Sequence, residues 1–167
     1  MGKKSTTLAT IGYESADLDD FLATLARCGV TRIIDIREIA MSRRRGFAKS
    51  SLSSALLNSG IDYIHLRGLG DPKEGRLAAR SGDYFRFEQV FHQHLKTDAA
   101  QKDLRNAAIL AAEGGACLLC FERDHRTCHR TIVAQALSKI VPLTIRNLGV
   151  SAGLAKQCQS ERQFAFA

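Results

Sequence analysis

Residues 116–140 read ACLLCFERDHRTCHRTIVAQALSKI. The run 116–121 is almost wholly apolar, which is the pattern of a strand covered on both faces. A polar loop follows, and 127–140 then reads as a helix with Thr127 at its N-cap. A buried strand that passes through a short charged loop into a helix is a unit of a parallel α/β sheet.

Outward from this stretch the same alternation recurs. Residues 8–11 form a short apolar run that ends at Gly12. Residues 17–28 carry Leu18, Phe21, Leu22 and Leu25 at the spacing of one helical face. Asp17, Asp19 and Asp20 sit in the first turn, where the helix dipole favours carboxylates. Residues 30–36 read as a strand, 50–59 as a short helix with Leu52, Leu56 and Leu57 inward, and 61–66 as a third strand. Residues 67–83 are polar and glycine-bearing with no core pattern, so a functional or mobile loop is expected. Helices at 84–95 and 99–113 precede the strand at 116–121, and Pro142 introduces a last strand at 143–147. These readings predict one α/β domain over 6–150. Its sheet is mainly parallel, with about five strands and helices on both faces, a Rossmann-like three-layer arrangement. The tail 151–167 shows no pattern and is expected to be loosely ordered.

Composition narrows the function classes. No run of about 18 apolar residues exists to span a membrane. The start, MGKKSTTLATI, is too short and polar for a secretory core, so a cytoplasmic location is expected. Five cysteines, at 28, 117, 120, 128 and 158, are odd in number and irregular in spacing, which fits free thiols in a reducing compartment. A net charge of +7 favours anionic partners, either small molecules or nucleic acid. Composition leaves cofactor and oligomeric state unspecified.

In a parallel sheet, ligands bind beyond the carboxyl ends of the strands. Those ends lead into Gly12-Tyr13-Glu14, 35–47, 65–71 and 122–130, where the chemically active residue types collect. Cys128, His129 and Arg130 fall at a helix start. An arginine there opposes the helix dipole unless an anion or carboxylate compensates it, and Glu122 is the internal candidate. Cys128 is the candidate nucleophile beside basic groups. Asp35, at the end of an apolar strand, needs a partner such as Arg37 or Arg130. Ser42 and Arg43 suit a phosphate or carboxylate. Phe47 suits either anchoring the loop or stacking on a base, and His65 either a core role or catalysis.

Two alternative chemistries fit less well. Cys120 and Arg126 have the spacing of an anion-cradling cysteine loop, but Glu122 and Asp124 would repel an oxyanion and no glycine is present. Cys120, His125, Cys128 and His129 lack paired Cys-x-x-Cys spacing, and successive helical side chains diverge by about 100°, so no metal site is expected.

Several short motifs occur in order: Thr10-Ile11-Gly12-Tyr13-Glu14, Asp35-Ile36-Arg37, Ser42-Arg43 with Phe47, Gly60-Ile61 with Tyr63 and His65, Leu69-Gly70, and Cys120-Phe121-Glu122 followed by Cys128-His129-Arg130. Together they resemble the domain-of-unknown-function family 488 over about residues 10–147. The chain departs from that pattern before the Ser-Arg pair, where Ile39-Ala40-Met41 lacks the family's proline. The resemblance implies an α/β fold and a single cluster containing Asp35, Arg37, Ser42, Arg43, Glu122, Cys128, His129 and Arg130. It implies no activity.

Two functions follow as expectations. The first is an enzyme acting on an anionic substrate, with Asp35, Glu122, Cys128 and His129 catalytic and Arg37, Ser42, Arg43, His65 and Arg130 binding. The second is a non-catalytic module that binds nucleic acid or another anion.

Overall fold

The apolar runs of the sequence become the strands of a single sheet. The computed structural model describes residues 5–165. The strands are β1 (Thr6–Gly12), β2 (Arg32–Asp35), β3 (Asp62–His65), β4 (Ala116–Cys120) and β5 (Leu143–Leu148). The helices are α1 (Leu18–Arg27), α2 (Lys49–Asn58), α3 (Lys73–Arg80), α4 (Tyr84–His94), α5 (Asp98–Ala112), α6 (His129–Ser138) and α7 (Leu154–Ala165). The sheet order is β3-β2-β4-β1-β5, and every pairing is parallel. No helix among the described residues is long and apolar enough to cross a membrane.

The two-residue period of the strands divides the core into two layers. On one face Ala9, Ile11, Ile33, Cys117 and Leu119 pack with Phe21 and Leu25 of α1 and Leu52 and Leu56 of α2. On the other, Leu8, Ile34 and Leu118 pack with Phe91 of α4, Leu104 and Ala107 of α5 and Val133 of α6. All five residues of β4 are buried, as expected for the central strand.

This order also fixes where a ligand can enter. After β2 the chain turns to the layer of α2, whereas after the adjacent β4 it turns to the layer of α6. Neighbouring strands whose connections leave in opposite directions open a crevice at their carboxyl ends. The loops after β2 and β4 face each other there. Their ends are tied by the Ile36 N–H on the Leu119 carbonyl at 3.1 Å, and the Glu14 N–H on the Phe121 carbonyl at 2.8 Å brings in the β1 loop.

Four local readings of the sequence are corrected. The stretch 67–83 is not a loop: a short 3-10 turn at Arg67–Leu69 leads into α3, whose apolar contribution to the core is small. Leu57 is 71% exposed, because a residue five positions from Leu52 lies well off the Leu52/Leu56 face. The last helix of the βαβ unit starts at His129 with Cys128 as its N-cap, not at Thr127. Thr127 instead ends a preceding 3-10 turn at His125–Thr127. Finally, the patternless segment after 151 contains α7, whose first turn is held from outside. The Asp20 carboxylate accepts the N–H groups of Gly153 and Ala155 at 2.8 and 2.9 Å.

Gly12 is where β1 and the β4 loop meet. A Cβ on this residue would overlap the Glu122 carbonyl group and stand 2.9 Å from Arg130 Nη1. A Cβ at Gly149 meets nothing within 4 Å. Gly12→Ala is therefore expected to cost about 3 kcal/mol, or roughly 6–12 °C in melting temperature, and Gly149→Ala to be near neutral. Thermal denaturation of the two variants checks this.

Candidate functional site

Cys120 is the last residue of β4 and belongs to its even-numbered face, the face covered by α6. The N-terminus of α6 therefore meets it directly. Cys128 Sγ lies 2.8 Å from Cys120 Sγ, and His129 Nδ1 lies 3.6 Å from it. Glu122, two residues further along the loop, places Oε2 2.7 Å from the same sulfur. The far nitrogen of the imidazole, Nε2, is 2.9 Å from the Ile36 carbonyl oxygen. A carbonyl can only accept, so Nε2 carries a proton and Nδ1 is directed at the thiols. The Phe91 ring lies 5.2 Å from the imidazole and covers it from α4.

The electrostatics of the cluster follow from this crowding. Burial alone would raise the Cys120 thiol, but the Cys128 hydrogen bond and the charge of His129 outweigh it and hold Cys120 well below the usual thiol range. Burial also works against charge on His129, yet the Cys120 thiolate lifts the imidazole to about 9. Burial, helped by the adjacent Cys120 charge, pushes the Glu122 carboxyl up to about 7. Cys128 is raised by burial and by its hydrogen bond to Cys120, so it is the protonated member of the thiol pair.

Arg130 secures the loop that carries Glu122. Its guanidinium binds the carbonyl of Glu122, the carbonyl of Arg123 at 3.1 Å and Thr10 Oγ1 at 3.3 Å. Thr10 in turn donates to Asn147 Oδ1 at 2.7 Å, which extends the network from α6 across β1 to β5. A second buried network stands beside it. The Asp35 carboxylate takes the Arg37 guanidinium through Nε at 2.9 Å and Nη2 at 2.6 Å, and accepts the Tyr63 hydroxyl at 2.5 Å. Arg37 Nη1 donates to the Tyr13 hydroxyl at 3.0 Å and to the Phe47 carbonyl at 2.8 Å. The rings of Tyr13 and Phe47 stack with centroids 4.5 Å apart.

Over these groups lies a cleft of about 690 Å³. Cys120, Glu122 and His129 line it, together with Tyr13 and Arg37. Ile39, Met41 and Phe121 supply exposed apolar surface, while Ser42, Arg43 and Arg44 come from the β2 loop. Asp71, Arg76 and Arg80 come from α3 and its approach. Arg44 is engaged by the Ala16 carbonyl and Arg76 by Glu38. Among the described residues no carboxylate lies within salt-bridge distance of Arg43 or Arg80.

A family model described as domain of unknown function DUF488 matches residues 17–137. The chain belongs to the DUF488 family. No curated protein and no solved structure matches it. The DUF488 match runs from the cap of α1 to the end of α6 and so contains Cys120, Glu122, Cys128 and His129, but not β1 or β5.

The residues singled out in the DUF488 sequence fall into three groups. Glu122 and His129 line the cleft, as do Arg37, Ser42 and Arg43. Cys128 touches the cluster from behind at 2% exposure and does not line the cleft. Asp35, His65 and Arg130 also lie outside the cleft lining. Asp35 is fully buried under Arg37, His65 holds the Arg37 carbonyl at 2.7 Å, and Arg130 grips Glu122 by its carbonyl rather than its carboxylate. Phe47 is an anchor and is fully buried. Arg126 pairs with Asp124 at the surface.

Sequence reasoning missed Arg76, Arg80 and Asp71, because α3 was read as loop. The signal was the four-residue spacing of the two arginines, which places them on one helical face. Cys120 enters the sequence reading as part of a loop motif and of a rejected metal set, although the strand period already sets it on the α6 side.

Asp71 is 6% exposed, and its Oδ1 has no hydrogen-bond partner. Burial pushes its carboxyl up from 3.8 to about 6. The folded chain therefore holds this proton more tightly than the unfolded chain, so its contribution to stability falls as pH rises from about 4 to about 6. Asp71→Asn removes that dependence. Its melting temperature is expected to exceed the wild type by a few degrees at pH 7, with the gap closing towards pH 4 in thermal scans across that range.

Proposed function

We propose that this DUF488 chain is an enzyme acting on a small anionic substrate, with the reacting atoms at the cleft floor formed by Cys120, Glu122 and His129. The observation that carries this reading is the pairing of that floor with Arg43 and Arg80. Two guanidinium groups from separate elements face the same cleft with no carboxylate in salt-bridge distance among the described residues, and guanidinium geometry suits phosphate and carboxylate. Exposed apolar side chains in the same cleft, Ile39, Met41 and Phe121, favour a substrate whose anionic group is attached to an apolar or aromatic body, such as a nucleotide. Asp35 and Arg130 take structural roles, because both are committed to buried partners. Glu122 is the acid/base candidate by position, and Arg37 carries its charge at the cleft wall.

A reactive floor favours an enzyme over a passive binding module, for which the exposed Arg43 to Arg45 loop would suffice. The test is binding of inorganic phosphate, a nucleoside monophosphate, and single- and double-stranded nucleic acid to the full chain at two salt concentrations. The nucleoside monophosphate is expected to bind. Arg43→Ala and Arg80→Ala are each expected to weaken it about tenfold without changing the melting temperature, since both side chains are exposed. Binding of nucleic acid alone, with a steep salt slope and no effect of Arg80→Ala, would replace the enzyme by the binding module.

A further inference from the structure

We propose that Cys120, Cys128 and His129, with Glu122 in the fourth position, bind one transition-metal ion of the zinc class. One donor atom from each of these four residues can be chosen so that all lie within 4.8 Å of one another. Two thiols, an imidazole and a carboxylate form a donor set suited to zinc and its neighbours rather than to magnesium or calcium.

Three independent features support the site. The first is the anchoring of His129. Its Nε2–H is fixed on the Ile36 carbonyl at 2.9 Å, so Nδ1 is the ring nitrogen that faces both sulfurs, at 3.6 Å from Cys120 and 3.9 Å from Cys128, and a metal ion would take the place of its proton. A backbone carbonyl on the far ring nitrogen is the usual support of a metal-bound histidine.

The second is the backbone at Cys128. As the N-cap it has φ −123° and ψ 141°, an extended conformation. Its side chain therefore turns back towards β4 instead of following the helical step that would separate it from His129. This is the local reason why adjacent residues converge here, although their sequence spacing argues against a shared ligand.

The third is charge. Arg130 is 1% exposed, and among the described residues no carboxylate lies within salt-bridge distance of it. A lone buried cation is costly by several kcal/mol. Two thiolates and a carboxylate around a divalent ion leave one negative charge, and the guanidinium that grips the Glu122 carbonyl offsets it.

The sulfurs must part to take the ion. At 2.8 Å they are closer than the roughly 3.8 Å separation imposed by two zinc–sulfur bonds of about 2.3 Å in a tetrahedron, so binding turns the side chains apart by about an ångström. Cys120, Glu122 and His129 open on the cleft, which gives the ion a path from solvent. The site does not depend on the anion-binding role proposed above, since Arg43 and Arg80 contribute no donor atom.

The test uses the full reduced chain, dialysed against a chelator and titrated with cobalt(II) and then zinc(II). One cobalt per chain is expected, with a thiolate-to-cobalt charge-transfer band and the intense visible bands of a tetrahedral ion. One equivalent of zinc is expected to displace it and to protect Cys120 and Cys128 from a thiol reagent, leaving the half-buried Cys28 and Cys158 reactive. Cys128→Ala and His129→Ala are expected to lose stoichiometric uptake, whereas Cys28→Ala keeps it. Because a buried variant can fail to fold, the wild-type stoichiometry and charge-transfer band are decisive, and their absence overturns the site. A Cys120–Cys128 disulfide found by mass, with no metal uptake after reduction, overturns it equally and identifies a dithiol pair. Nucleoside monophosphate binding measured on the same metal-free protein keeps failure of the metal site separate from failure of the anion reading.

Discussion

The arrangement of the functional region depends on the Arg130 guanidinium. It is a charge removed from water, and that removal costs several kcal/mol. Its contacts to the Glu122 and Arg123 carbonyls and to Thr10 offset this, at roughly 1.5–3 kcal/mol for each charge-assisted bond. The geometric consequence is larger than the energetic one. A loop of polar residues would otherwise be free to leave the sheet edge, and the clamp fixes it against the end of β1. Glycine at position 12 is the condition for this, since only a residue without Cβ lets the Glu122 carbonyl and the guanidinium approach β1 so closely.

Once the loop is fixed, the rest of the cluster follows from strand and helix geometry. Cys120 faces α6 by the period of β4. Cys128 and His129 meet it because the helix begins there and the cap residue is extended. The Asp35–Arg37 pair does for the β2 side what Arg130 does for the β4 side. Its hydrogen bonds to Tyr13, Tyr63 and the Phe47 carbonyl join the β1 loop, the β2 loop and β3 into one wall. The two buried arginines thus serve opposite sides of the crevice between β2 and β4. Both are committed to partners within the chain, Arg37 to Asp35 and Arg130 to the loop carbonyls.

Much of the fold was legible in the sequence because its signals are local. The apolar run at 116–121 and the one-face spacing of Leu18, Phe21, Leu22 and Leu25 specify a strand and a helix without knowledge of their neighbours. α3 was not legible for the opposite reason. It contributes only Gly75 and Ala78 to the buried set, so no apolar period marks it. α7 is anchored by the carboxylate of Asp20, more than a hundred positions away, and no window of sequence contains that contact. The candidate site was legible as a region and not as a set of roles. Arg130 stands out in the sequence as an arginine at a helix start, and the structure has it in the first turn of α6. What resolves its charge is a pair of carbonyl oxygens, and carbonyls leave no trace in the residue code.

The same distinction explains why Cys120 and Cys128 exchange importance between sequence and structure. Read along the chain, Cys128 stands out, because it sits at a helix start between basic residues. Read in space, it is the buried partner, and its thiol supports Cys120, which is the sulfur that reaches the cleft. A helix start lowers a thiol's pKa only if that thiol gains more from the dipole and nearby cations than it loses through burial. At Cys128 burial and the neighbouring Cys120 charge prevail. At Cys120 the imidazole and the second thiol prevail. Two cysteines eight residues apart, both buried, are thus shifted in opposite directions, Cys120 down by the Cys128 hydrogen bond and the charge of His129, Cys128 up by burial and its hydrogen bond to Cys120. Although both residues are 2% exposed, Cys120 is the one of the two that lines the cleft, so the thiol held low is the one beside the open space.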